Sequence, residues 1–236
     1  MSGPAEQPAT GVAQRTGRGE PELTKLSLMR RAMVRHMVAG SAVPCFYLRA
    51  TADVTALTAL RRDLKAEGRE RVPSVNDFVV RAAGLELRRH PAVNSSYGED
   101  AIAVHERVNV GVAVAVPGGL VVPAIYDADA KGLDDIAAAA REVADLAARR
   151  KLGRDLLADA TFTVSNLGMY GIEDFDPILN PPQAAILAVG AAIAGDGATL
   201  RMRLTLGCDH RVLTGAEAAP FLIGVRVRLA QPTALL

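Results

Sequence analysis

The chain has 236 residues, half of them hydrophobic, with a formal net charge of +1 and both signs scattered along it. That length fits one large domain or two small ones and is enough to enclose a sizeable core. No basic stripe or polybasic cluster marks a nucleic-acid or membrane surface, and four Tyr, five Phe and no Trp leave little for a base-stacking platform.

Residues 1–21, MSGPAEQPATGVAQRTGRGEP, are Gly, Pro, Ala and polar residues and read as a flexible tail. They hold no apolar signal core, and no apolar run in the chain has the length of a membrane span. A soluble cytoplasmic protein is expected. SLMRRAMVRHMVAG (27–40) has helical spacing of Leu28, Met29, Met33 and Met37, with Ser27 as N-cap and Gly40 as stop. CFYLRATAD (45–53) alternates as a strand does. Helices are predicted over 54–68, ending at Gly68, and over 74–91, closed by Pro91.

A strand-rich half follows. Residues 102–116 hold two strands and 119–129 a third, with PGG as the turn. Residues 132–153 form a long Ala-rich helix. ATFTVSNLG (160–168) is a β-branched strand that breaks at Asn166–Gly168. AAILAVGAAIA (184–194) and TLRMRLTLGCD (199–209) are strands about a GDG turn, and 215–230 is the last helix. Helices and strands mix without strict βαβ alternation, which favours one layered α+β domain over residues 22–236.

Cys45 and Cys208 lie far apart and form no CxxC or Cys/His ligand spacing, so no metal site is expected and a reduced chain is favoured over a disulfide. His36, His90 and His105 sit among charged residues and read as solvated. His210 differs: it ends an apolar strand, between Asp209 and Arg211, just before a helix. Strand ends and loops often carry sites, although a lone His there is more often structural. Ser165 ends its strand before a Gly-containing loop. Its hydroxyl is suited either to donating to a developing oxyanion or to forming a turn.

Taken together, TFTVSNLGMYGIEDFDPILNPPQAAILAVG and LTLGCDHRVLTGAEAAPFL resemble the catalytic domain of the dihydrolipoamide acyltransferases of 2-oxoacid dehydrogenase complexes, itself similar to chloramphenicol acetyltransferase. MRRAMVRHM, PAVNSSYGEDAI and VNVGVAVAVPGGLVVPAIYDAD extend the likeness in order over roughly residues 24–236. The resemblance implies a two-layer α/β sandwich with a mixed sheet. It implies His210 as the general base that deprotonates the acceptor. It implies Ser165 as the oxyanion donor, with Asn166 beside it in support, and it implies that these groups meet across a subunit boundary within a homotrimer. No tightly bound cofactor is implied; acetyl-CoA is the acyl donor substrate.

The family signature is HxxxDG. His210 and Gly215 occupy its ends, but Thr214 replaces the Asp. In chloramphenicol acetyltransferases that Asp pairs with an Arg, whose match here is Arg30. Thr214 hydrogen-bonds but does not neutralise Arg30. Cys45 likewise stands where the family often has His. With only a short tail before the resemblance, and no lipoyl-lysine segment, the acyl group is expected to come from acyl-CoA. The leading expectation is therefore a CoA-dependent O-acetyltransferase acting on a small alcohol, of the hydroxymethyl-tetronate type. Two alternatives stand beside it: the catalytic core of a 2-oxoacid dehydrogenase complex served by a lipoyl domain on another chain, and a non-catalytic assembly core. A 24-subunit cube stays open beside the trimer.

Overall fold

The computed structural model describes residues 22–236, and the tail expected over residues 1–21 lies outside them. Helix α1 spans Leu28–Ser41, and Ser27 Oγ accepts from the Arg30 N–H at 3.1 Å, as the cap reading requires. The helix runs one residue past Gly40. A Cβ on Gly40 would stand 2.3 Å from the Leu179 carbonyl oxygen, so this glycine serves close approach rather than termination. Strand β1 (Cys45–Asp53) has its expected bounds, and α2 (Thr55–Ala66) and α3 (Val75–Arg89) follow. Ser74 and Asp77 cap α3 reciprocally: Ser74 Oγ accepts from the Asp77 N–H, and Asp77 Oδ2 from the Ser74 N–H at 2.7 Å.

The middle of the chain departs most from expectation. Instead of three strands it contains β2 (Ser95–Tyr97), β3 (Ile102–Val104), β4 (Val110–Val112), β5 (Val114–Val116), β6 (Gly119–Val121) and β7 (Ala124–Ile125). Pieces of two or three residues are too short to display a period of two, so sequence alternation merges them. The PGG turn does join two of them: β5 and β6 pair antiparallel, with Gly118 at φ +91°. The long helix is also shorter than expected. Helix α4 (Leu133–Ala148) stops short of Arg150, which takes the left-handed φ of +56°, and a separate short α5 (Arg154–Ala158) follows. Strands β8 (Phe162–Asn166), β9 (Ala185–Ala194) and β10 (Leu200–Asp209), then α6 (Gly215–Ala230) and a terminal 3₁₀ turn, complete the chain.

Six strands form one mixed sheet in the order β1-β10-β9-β8-β4-β7. The β4–β8 and β8–β9 pairs are parallel and the others antiparallel. One face carries Phe162, Val164, Leu187, Leu204 and Leu206, which join Phe78 of α3 and Phe221 of α6 in a single buried core. Alternation sends Tyr47, Arg49, Thr163, Ser165 and Thr205 to the other face. No helix from α2, α3 or α6 covers that side. The segment 167–182 crosses it, held by Thr205 Oγ1 donating to Asp174 Oδ1 (2.5 Å) and Tyr47 Oη donating to the Pro177 carbonyl (3.3 Å). The architecture is the expected two-layer α/β sandwich with a mixed sheet.

Candidate active site

His210 occupies the first position after β10, in the turn that leads to α6. Its N–H donates to the Pro44 carbonyl at 2.9 Å. Its ring packs on Phe46, with 4.7 Å between centroids. The side chain is exposed, and among the described residues its ring nitrogens have no hydrogen-bond partner. An imidazole of this kind keeps a lone pair available to accept a proton.

The residues on either side of His210 are tied together. Asp209 is only 2% exposed, and its carboxylate takes two bonds from Arg211 Nε, at 2.9 and 3.2 Å, and one from Nη2 at 2.7 Å. Oδ1 also accepts from the Arg211 N–H at 2.9 Å. The Arg211 guanidinium lies over the Tyr97 ring, 3.7 Å from its centroid. The two free cysteines lie near this turn but are not ionised by it. Burial pushes the Cys45 thiol up, and pushes Cys208 up to about 12. Burial and the neighbouring Cys45 raise Tyr47 to about 12.

Ser165 lies half-buried near the end of β8, and its hydroxyl has no hydrogen-bond partner among the described residues. The next residue is fixed. Asn166 Oδ1 accepts from the Gly168 N–H at 2.8 Å, and its Nδ2 donates to Asn76 Oδ1 at 3.2 Å. This is the Asx turn that ends the strand.

Ser165 and His210 do not meet within the chain. Ser165 is level with Ala188 of β9, which is level with Thr205 of β10. His210 stands five residues beyond Thr205, so strand geometry sets the two roughly 20 Å apart. Nor do Arg30 and Thr214 meet. Arg30 is exposed on α1, and among the described residues its side chain pairs with no carboxylate. Thr214 turns to its own helix: its N–H and Oγ both donate to Glu217 Oε2, at 2.9 and 2.8 Å. This Thr-x-x-Glu arrangement was readable in the sequence as a helix start. The Asp209–Arg211–Tyr97 tie was not, because Tyr97 comes from a distant strand. Gly215 opens α6, and a Cβ there would meet no atom within 4 Å in this chain.

The expectation of freely solvated histidines is corrected for His105 and His90, whereas His36 is exposed. His105 is not a freely solvated side chain: Ser96 Oγ lies 2.7 Å from its Nε2, and burial lowers its pKa. His90 lies 3.3 Å from the buried Glu86. His36 is hydrogen-bonded to Asn180. A cavity of about 550 Å³ lies beside His36 between α1, β6 and residues 180–183, and its lining includes neither His210 nor Ser165. Among the described residues no helix is long and apolar enough to cross a membrane, and no cluster of His, Cys, Asp and Glu gathers as around a metal ion.

The family model for the 2-oxoacid dehydrogenases acyltransferase catalytic domain matches residues 18–236. The chain belongs to this family. A dihydrolipoyllysine-residue acetyltransferase component of the pyruvate dehydrogenase complex from Rickettsia felis is 38% identical over 204 residues, which is 82% of this chain and 50% of that protein. A mitochondrial component 3 from Arabidopsis thaliana is 42% identical over 208 residues, 82% of this chain and 38% of that protein. The chain thus spans about half the length, or less, of these curated relatives.

Among solved structures, the Azotobacter vinelandii dihydrolipoamide acetyltransferase, studied for the roles of a serine, a histidine and an asparagine in its mechanism, superposes with a TM-score of 0.86 and 34% identity. That match covers 92% of this chain and 94% of that one. The cubic core of a pyruvate dehydrogenase multienzyme complex matches equally well, at 33% identity. A chloramphenicol acetyltransferase, at 14% identity and a TM-score of 0.55, shares the fold. The chain is an acyltransferase catalytic domain with this fold.

Proposed function

We propose that this domain transfers acetyl groups between CoA and a dihydrolipoyl thiol presented by a lipoyl domain, as the catalytic core of a 2-oxoacid dehydrogenase complex. The observation that carries the reading is family membership over residues 18–236, with relatives that are dihydrolipoyllysine-residue acetyltransferase components. Those relatives favour a dithiol acceptor over a hydroxymethyl tetronate. The unengaged His210 ring and Ser165 hydroxyl favour a working site over a non-catalytic core.

In the proposed reaction, the His210 imidazole takes the proton of the incoming thiol and its sulfur attacks the thioester carbonyl. The carbonyl π electrons move to oxygen, and the Ser165 O–H donates to that oxyanion. Collapse breaks the original C–S bond, and the leaving thiolate recovers the proton from the imidazolium. The roughly 20 Å between the two groups in one chain supports a site where His210 of one protomer faces Ser165 of the partner subunit. A homotrimer supplies such junctions, and similarity to a cubic core favours a 24-subunit assembly over a lone trimer. Thr214 stands four residues after His210, where the Azotobacter vinelandii enzyme's studied histidine and asparagine have the same spacing.

The test is mass spectrometry of a lipoyl domain, in its reduced form, incubated with the protein and acetyl-CoA. One acetyl group per lipoyl domain, together with free CoA, is expected. Acetylation of hydroxymethyl tetronates with none on the dithiol would restore the alcohol reading.

A further inference from the structure

We propose that Asp209, Arg211 and Tyr97 act together as a positioning device for His210. The proposal rests on the reading of His210 as the base. The residue on each side of the histidine is anchored, on two different elements. Asp209 belongs to β10: its N–H donates to the Ala184 carbonyl at 2.8 Å, and its own carbonyl accepts from the Val212 and Leu213 N–H groups at 3.0 and 2.9 Å. Arg211 is fastened to the Asp209 carboxylate through three side-chain contacts and one backbone bond. It is also fastened to the Tyr97 ring face at 3.7 Å.

Tyr97 is itself held, its N–H donating to the Pro182 carbonyl at 2.9 Å and its strand paired with β3. The tie therefore joins the end of the main sheet to the β2–β3 ribbon, and His210 is the residue straddled by it. On the opposite side, Pro44 and Phe46 fix the His210 N–H and ring.

Two physical points separate this from an ordinary surface ion pair. The Asp209 carboxylate is buried, so both oxygens require donors, and the Arg211 guanidinium reaches both of them. The His210 ring, by contrast, has no hydrogen bond of its own among the described residues. Its aim is set by the backbone of the turn and by Phe46, so slack in the turn becomes misalignment of the base. A displacement near 1 Å at a reacting group costs about 10²-fold in rate.

The experiment is steady-state acetyl transfer by the assembled full chain. It compares Tyr97→Leu, Tyr97→Phe and Arg211→Lys, each in the native and in the His210→Ala background. Tyr97→Leu and Arg211→Lys are expected to lower kcat by about 10- to 100-fold with KM unchanged, because alignment rather than binding is lost. Tyr97→Phe keeps the ring face and should retain native turnover. In the His210→Ala background neither variant should lower the rate further. Native kcat in both Tyr97→Leu and Arg211→Lys, or the same fold-loss in both backgrounds, would overturn the proposal. Should Tyr97→Leu fail to assemble, Arg211→Lys decides alone. Full activity of His210→Ala itself would instead overturn the reading of the base, and the proposal with it.

Discussion

The separation of His210 from Ser165 makes a strong prediction about mixed assemblies. His210→Ala loses the base, and a loss of about 10²–10⁴-fold is expected. Ser165→Ala loses the oxyanion donor, for about 10²–10³-fold. If each site joined the two groups of one chain, mixing these variants would give nothing, because every chain carries one dead group. The sheet register argues otherwise. With roughly 20 Å between the groups in one chain, the proposed site pairs the His210 of one protomer with Ser165 of the partner subunit. In a closed ring assembled at random from equal amounts, about one quarter of the junctions pair an intact histidine with an intact serine. The co-expressed mixture should therefore reach about a quarter of native turnover, at least about 25-fold above the better parent. The assay is acetyl transfer from acetyl-CoA to reduced lipoyl domain, on assemblies purified after co-expression from two differently tagged genes. Activity no higher than the mean of the parents would refute the shared site, as would an active monomer in light scattering.

Further expectations concern the elements around the site. Thr214→Ala removes the side chain that begins α6, and thermal unfolding should show a loss of about 1 kcal/mol. Thr214→Asn should keep that stability, since Asn ranks with the best N-cap residues. Hydrogen bonds from the Thr214 N–H and hydroxyl hold the Glu217 carboxyl below its ordinary 4.5. Its contribution is thus present above pH 4.5 and lost as pH falls through the depressed value, so the stability gap between native protein and Glu217→Gln should close in acid denaturation below that pH. Gly40→Ala places a methyl against the Leu179 carbonyl, and a loss of about 1–3 kcal/mol is expected; an unchanged unfolding midpoint would remove the close-approach argument.

Local signals in the chain determined the long elements. Ser27, Ser74 and the β-branched and aliphatic runs of β1, β9 and β10 state their own starts and periods, because caps and alternation are short-range effects. The sequence also carried the candidate chemistry: His210 after an apolar strand, Ser165 before a glycine loop, and the long colinear likeness that joined them. It merged the short strands between Ser95 and Ile125, whose two- or three-residue pairings exist only because the sheet and its ribbons hold them. Only tertiary structure decided how the site residues relate. Sheet register placed Ser165 level with Thr205 and thereby put His210 far from it, a distance that no spacing along the chain encodes. Folding also brought Tyr97 over Arg211 and left Arg30 without Thr214. Such contacts form between residues more than a hundred positions apart, where the chain's local preferences are silent and packing of the sheet alone selects the partner.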